Sequence, residues 1–175
     1  MINLTNPCIA VCEVSTFYTE ALSVAHRRCF ETFWTNKDFY DLLTLQTVFG
    51  FIAIIENEKP VRSEAPRIIA ENTNSSDFGG FILCSAASDQ CEVLTICVLP
   101  EWRCNGLAIN LMQNAIKRAK TIGASEIFLE VAENNFIARN LYLNLGFSEF
   151  GRRERYYRQK KKRVDAVQLS KVISC

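Results

Sequence analysis

The stretch VLPEWRCNGLAINLM, Val98 to Met112, leaves an apolar run, turns at Pro100 and enters a helical pattern through Gly106. Leu107, Ala108, Leu111, Met112, Ala115, Ile116 and Ala119 recur every three to four residues, which predicts one buried face of a helix, with Gly123 as its stop. Before the turn, CEVLTICVL (91–99) has the apolar, β-branched content of a strand. After the helix, EIFLEVA (126–132) reads as a second, shorter strand. Strand, helix and strand in that order form a crossover, so the two strands are expected to lie parallel.

The rest of the chain extends this unit in both directions. FGGFILCSAA (78–87), separated from CEVLTICVL by SDQ, predicts a hairpin partner, and VFGFIAII (48–55) predicts a further strand. The polar ENEKPVRSEAPRIIAENTNSSD (56–77) reads as a long connection. Ser15 and Thr16 are expected to cap a helix carrying Phe17, Ala21, Leu22, Ala25 and Cys29. Thr35 and Asp38 have the spacing of a capping box for a short helix with Phe39, Leu42 and Leu43, and Trp34 stands where a hydrophobic staple would. Asn134 or Asn135 caps a helix with Ala138, Leu141, Tyr142 and Leu145 on its buried side, ended by Gly146. GFSEF begins a strand, and RYY with VDAVQLSKVI forms a closing antiparallel pair around RQKKKR. The expected class is α/β (α+β), a single domain over residues 1–175 with a mixed sheet and about four helices.

Composition narrows the function. In 175 residues, 49% hydrophobic content supplies one core, and 20 basic against 19 acidic residues leave a formal charge of +1. Neither nucleic acid nor an acidic membrane is expected as a partner on global charge. The segment RRERYYRQKKKR carries eight basic residues and one acid, and reads as a solvated hairpin tip, with contact to RNA or an acidic peptide as the alternative. Eight scattered cysteines form no Cys-x-x-Cys pair, and His26 is the only imidazole, so most cysteines read as small core residues and no metal site is expected. The N-terminal segment lacks a signal-peptide pattern and no apolar run approaches a membrane span, so a cytoplasmic location with reduced thiols is expected.

Three features carry chemistry. A helix entered through a glycine turn presents unpaired N-terminal amides and partial positive charge, which suits a phosphate. Gly106 lets the backbone approach an anion and Ala108 is small, although a plain strand-to-helix turn explains the same spacing. The turn matches neither the Gly-x-Gly-x-x-Gly dinucleotide fingerprint nor the Gly-Lys-Ser phosphate loop. Glu130 is a carboxylate inside an apolar strand, so it either reaches a cleft or sits at an exposed strand end. Tyr142 lies on a buried stripe, where its hydroxyl requires a partner.

Taken together, EVLTICVLPEWRCNGLAINLM, FLEVAENN and ARNLYLNLGF resemble the GNAT superfamily of N-acetyltransferases, whose Arg/Gln-x-x-Gly-x-Gly/Ala motif fits Arg103 to Ala108. The likeness covers about residues 15–173, and LTICV, LEVAENN, LYLNLGF, RRERYY and VDAVQL point within the superfamily to bacterial ribosomal-protein-alanine N-acetyltransferases. The resemblance implies a GNAT fold whose sheet splays after the strand ending at Val98, leaving a wedge for pantetheine. It implies acetyl-CoA as cosubstrate, with Ile96, Cys97 and Val98 pairing with pantetheine through their backbones. Cys104, Asn105, Gly106, Leu107, Ala108 and Ile109 would cradle the pyrophosphate, Arg103 would lead the motif, and Asn135 would contact the cofactor arm. Glu130 matches the proton acceptor and Tyr142 the proton donor, and the implied acceptor is the N-terminal peptide of a ribosomal protein. The 56–77 connection is longer than the family's usual one, and Cys104 and Ile109 stand where relatives often carry basic residues. Glu92 on the neighbouring strand is the rival base. An acyl-cysteine route through Cys97 or Cys104 lacks a histidine near in sequence. Acetylation of lysine, polyamines or small amines, and a non-catalytic acetyl-CoA-binding module, are the alternative functions.

Overall fold

The computed structural model describes residues 8–56, 78–159 and 162–173; of the connection expected at 56–77, Glu56 ends a strand and 57–77 lie outside the described residues, as does the tip of the basic hairpin at 160–161. The elements in chain order are β1 (Cys8–Glu13), α1 (Thr19–Cys29), α2 (Asn36–Leu43), β2 (Val48–Glu56), β3 (Phe78–Ala87), β4 (Gln90–Val98), α3 (Leu107–Thr121), β5 (Glu126–Ala132), α4 (Phe136–Asn144), β6 (Ser148–Gln159) and β7 (Lys162–Val172). The strands form one seven-stranded sheet in the order β1-β2-β3-β4-β5-β7-β6. Every neighbouring pair is antiparallel except β4 with β5, which is parallel as the crossover requires.

Two hydrophobic layers sandwich the sheet. On one face Leu107, Leu111, Met112, Ala115 and Ala119 of α3 pack with Phe51, Ile82, Ile127, Leu129 and Val131. On the other, Leu22 and Ala25 of α1 and Phe39 of α2 pack with Ile52, Phe81, Leu83 and Cys97. The alternation of Phe51, Ile52 and Ala53 between these layers is the two-residue period of a strand buried on both faces. Each fully buried side chain such as Leu22 or Phe39, both at 0% exposure, contributes about 1.5–3 kcal/mol by leaving water.

The capping box at α2 forms: Thr35 Oγ1 accepts from Asp38 N at 3.3 Å and Asp38 Oδ2 accepts from Thr35 N at 2.7 Å. Trp34, one residue before that cap, packs on Phe39 at 5.5 Å between ring centroids, completing the staple. The first helix begins later than its sequence pattern suggests. Ser15 makes no side-chain cap, a 3-10 turn occupies Thr16–Tyr18, and α1 starts at Thr19, whose hydroxyl donates to Thr16 O at 3.1 Å. Phe17 consequently points outward, 63% exposed, and the buried stripe is Thr19, Leu22, Ser23, Ala25 and His26. Strand β1, absent from the sequence reading, adds an edge to β2 from Cys8↔Glu56 to Glu13↔Phe51. The cysteines also divide: Cys84, Cys91 and Cys97 are buried, Cys29 is half-buried, and Cys12 and Cys104 are exposed.

The sheet opens between β4 and β5. They share register only from Gln90↔Glu126 to Glu92↔Phe128, whereas β5 stays paired with β7 along its whole length. On the other side of β4, Leu83 pairs with Thr95 and Cys84 with Val93, so Leu94 is the extra residue of a bulge. A bulge bends its strand and raises the local twist, and here it falls where β4 must leave β5.

Candidate active site

The far part of β4 turns its backbone into the opening. Leu99 N donates to Gly79 O of β3 at 3.0 Å, so by strand alternation the N–H and C=O of Val98 and Ile96 face away from β3, toward the gap. Cys97 differs from its two neighbours. Its backbone faces β3 and its thiol, on the α1 side, donates to Ala25 O at 3.5 Å; of the three residues expected to pair with pantetheine, only Ile96 and Val98 have the orientation for it.

At the end of β4 the chain makes a 3-10 turn over Pro100–Trp102, extends through Arg103, and reaches α3 through two left-handed residues, Cys104 (φ 62°) and Gly106 (φ 77°). Gly106 is the N-cap of α3 and supplies no side-chain cap; the first helical bond runs from Asn110 N to Gly106 O at 3.0 Å. The amides of Leu107, Ala108 and Ile109 therefore start the helix without a capping side chain, at the positive end of its dipole. Cys104, Asn105 and Gly106 are exposed, Leu107 is buried in the α3 core, Ala108 is half-buried, and Ile109 is 41% exposed. Asn105 closes the turn on itself, its side-chain amide donating to Arg103 O at 3.0 Å.

Arg103 reaches backward rather than into this cradle. Its Nε donates to Val98 O at 3.2 Å, and Nη2 lies 3.9 Å from Cys29 Sγ. The Cys29 thiol, within 3.6 Å of Val98 O, is lowered to about 7 by the Cys97 thiol and, against burial, by Arg103 and Arg28. The motif's arginine thus braces the strand end against α1 and leaves the start of α3 with its own backbone amides.

At the vertex of the opening stand Glu92 and Glu130. Glu92 is in the last paired position of β4, opposite Phe128, and Glu130 follows two residues along β5, so both side chains are on the same face. Burial, and then the charge of Glu130, push the Glu92 carboxyl above its ordinary range, with Arg153 pulling the other way. Glu130, at 16% side-chain exposure, accepts on Oε1 from Arg153 Nη1 at 3.0 Å and Gln168 Nε2 at 3.1 Å. Glu130 is therefore mid-strand and largely buried rather than at an exposed strand end.

Tyr142 of α4 is buried at 5% exposure, with its ring centroid 5.9 Å from that of Phe147. Burial, then neighbouring Tyr157, raise its hydroxyl above the usual phenol range. Asn135 caps α4 by accepting from Ala138 N at 3.2 Å, while Asn134 donates to Gln159 Oε1 at 2.8 Å. The side-chain oxygen of Asn135 is thus engaged in the helix start. His26 is remote in role: its Nδ1 accepts from Trp34 N at 3.1 Å and its ring stacks on Phe30 at 4.2 Å. It activates neither Cys97, which is buried with a raised thiol, nor exposed Cys104.

Arg153, Gln168 and Tyr157, which surround Glu130, were not legible as site residues. Arg153 and Tyr157 fall within the basic run RRERYY, and only the β5-β7-β6 register brings that run beside Glu130. Arg152 likewise pairs with Glu149 at 2.7 Å and Glu133 at 3.7 Å, so part of the basic run is neutralised internally. Among the described residues no group of three His, Cys, Asp or Glu could hold a metal ion, and no helix is long and apolar enough to cross a membrane.

A sheet splayed at its one parallel pair, with a glycine-led helix start at the far end of the opening and paired carboxylates at its vertex, defines the class. The chain belongs to the acetyltransferase (GNAT) family, whose model matches residues 15–147. It is 29% identical over 85 residues to a ribosomal protein bS18-alanine N-acetyltransferase of Haemophilus ducreyi, covering 49% of this chain and 59% of that one. The matched stretch thus spans about three fifths of that curated relative. Its fold is similar to the crystal structure of the ribosomal-protein-S18-alanine N-acetyltransferase of Escherichia coli, with a TM-score of 0.79, 22% identity and 96% of each chain covered. It is also similar to Arabidopsis thaliana NAA60 in complex with acetyl-CoA, with a TM-score of 0.76, 17% identity, and 95% of this chain and 99% of that one covered.

Proposed function

We propose that this chain transfers the acetyl group of acetyl-CoA to the N-terminal α-amine of a cytoplasmic protein, with the N-terminal alanine of a small-subunit ribosomal protein as the foremost acceptor. The observation that carries the reading is the divergence of β4 from β5 beyond Glu92↔Phe128, which leaves the backbones of Ile96 and Val98 facing a slot that ends at the start of α3. That slot suits acetyl-CoA: uncapped amides of Leu107, Ala108 and Ile109 suit its pyrophosphate, and the Ile96 N–H and C=O with the Val98 N–H suit the amides of its arm, the Val98 carbonyl being taken by Arg103. When bound, acetyl-CoA supplies a thioester carbonyl as the electrophile. The names of the ribosomal-protein relatives support the acceptor class.

The chain's residues then have separable tasks. An α-amine has a pKa near about 7.7–8.0, so much of the acceptor arrives as ammonium and must lose a proton before attack. The carboxylates Glu130 and Glu92 are in the vertex to take it. Tyr142, whose hydroxyl is raised by burial, stays protonated at neutral pH and can donate to a departing thiolate.

The test is acetyl transfer from acetyl-CoA to an Ala-starting ribosomal peptide, the same peptide already N-acetylated, an internal-lysine peptide and spermidine, read by mass spectrometry. Acetylation at the free α-amine is expected to dominate. Equal or faster turnover of spermidine or lysine would remove the ribosomal assignment.

A further inference from the structure

The carboxylate pair has an internal cation, and its placement is specific. Gln168 is the register partner of Glu130 on β7, and Arg153 on β6 follows opposite Ala166. Both donate to the same oxygen, Oε1 of Glu130, at 3.1 and 3.0 Å. Tyr157 Oη donates to the backbone oxygen of Glu130 at 3.2 Å, and the Arg153 guanidinium lies 4.3 Å from the Tyr156 ring centroid, over its face. Gly151, the β6 neighbour of Gln168, leaves the amide room: a Cβ there would stand 2.7 Å from Gln168 Oε1. Glu130 is thus gripped from β6 and β7 while its other oxygen takes no part in these contacts.

The charge count is uneven. Glu92 on β4 and Glu130 on β5 face one guanidinium from β6, with the Tyr156 ring under that guanidinium and the Tyr157 hydroxyl, raised chiefly by burial, as the other titratable groups there. Arg153 and Gln168 both grip the Glu130 carboxylate, whereas Glu92 has no such donors in these contacts, and burial and then the Glu130 charge raise its carboxyl above the ordinary range against the pull of Arg153. The two acids therefore have unlike tasks despite sharing a face.

We propose that Arg153 is a positioning residue that holds the Glu130 carboxylate in place beside Glu92, so that the two acids, facing one guanidinium, recruit the acceptor's α-ammonium and Glu92 takes its proton. In that step one N–H bond of the ammonium breaks, an O–H bond forms on Glu92, and the nitrogen keeps the electron pair with which it attacks. The inference rests on the acetyltransferase reading and adds to it a division of labour between the carboxylates.

Carboxyl-detected NMR titration of the full chain, as wild type, Arg153→Met and Arg153→Lys, with Glu92→Gln to assign the signal, reads the charge coupling without turnover. The Glu92 titration is expected to move up by about half a pH unit or more in Arg153→Met, and by less in Arg153→Lys, because a nearby cation favours the carboxylate. The acidic limb of kcat/KM for an Ala-starting peptide is expected to follow it, a change that lost folding stability alone would not produce. Calorimetry is expected to give about tenfold tighter binding of that peptide than of its N-acetylated form, a difference of about 1.4 kcal/mol. An unmoved Glu92 titration, a moved titration with an unmoved limb, or equal binding of the two peptides each overturns the proposal. Absence of transfer to every amine by the wild type would instead count against the acetyltransferase function, with the titration and binding results still deciding the charge arrangement.

Discussion

Acidification from pH 7 to pH 5 is expected to destabilise this protein through His26, its only histidine. The ring is 4% exposed, its Nδ1 accepts from Trp34 N at 3.1 Å, and burial lowers its pKa from 6.5 to about 4. Protonation would place a hydrogen on the accepting nitrogen and strand the Trp34 amide. Because the folded pKa lies below the unfolded one, the stabilisation is complete above pH 6.5 and is lost as pH falls from there toward 4. At pH 5 an unfolded histidine is almost fully protonated and the folded one about a tenth so, which gives a loss of about 2 kcal/mol, approaching about 3 kcal/mol below pH 4. The stacked rings of Phe30 and Trp34 would attract an imidazolium by about 1–2 kcal/mol at most, which reduces the loss without reversing a shift of this direction. Urea unfolding at pH 7 and pH 5 should show the wild type losing about 2 kcal/mol more than His26→Gln, which does not titrate, or about 4–8 °C more in Tm. Equal losses in both proteins would refute the reasoning.

Three further outcomes are expected. Glu130→Gln should lower turnover by about tenfold or more, because it removes the negative charge that helps recruit the ammonium beside Glu92, while leaving coenzyme affinity nearly unchanged; steady-state rates with calorimetry check this, and an unchanged rate across pH would remove Glu130 from the catalytic arrangement. Gly106→Val should weaken coenzyme binding, since a β-branched residue is strained at φ 77°, even though nothing lies within 4 Å of the added Cβ; unaltered affinity by calorimetry would contradict the assigned cradle. Thr35→Ala should cost about 1 kcal/mol in chemical denaturation by opening the α2 capping box, with no change in m-value.

Local patterns were legible where a short-range rule governs them. EIFLEVA and FGGFILCSAA became β5 and β3 at their expected bounds because runs of apolar and β-branched residues between turn signals suit the interior of a sheet. The α2 capping box closes over three residues, and the Gly106 turn needs only its own backbone, so both could be placed by spacing. The start of α1 was misplaced because Ser15 and Thr16 satisfy a capping pattern equally well for a 3-10 turn. Strand β1 escaped notice because an edge strand is stabilised by pairing with β2, a partner about forty residues away in sequence.

The site divides along the same line. Glu130 stood out as an acid in an apolar strand, yet its partners Arg153 and Gln168 meet it through two long-range registers that no local period contains. Cys97 was grouped with Ile96 and Val98, but the pairing of β4 with β3 turns its backbone away from the gap. Arg103 led a phosphate-binding motif, and the packing of α1 draws its guanidinium to Val98 O and Cys29 instead. Sequence alone determined the parallel crossover, the glycine-led helix start and the presence of an acid in β5, since each follows from hydrophobic period or backbone freedom within a few residues. Tertiary structure decided where the sheet opens, which backbone groups line the opening and how the charges beside Glu130 are balanced, because those depend on strand register, on the bulge at Leu94 and on the register shifts of β6 against β7.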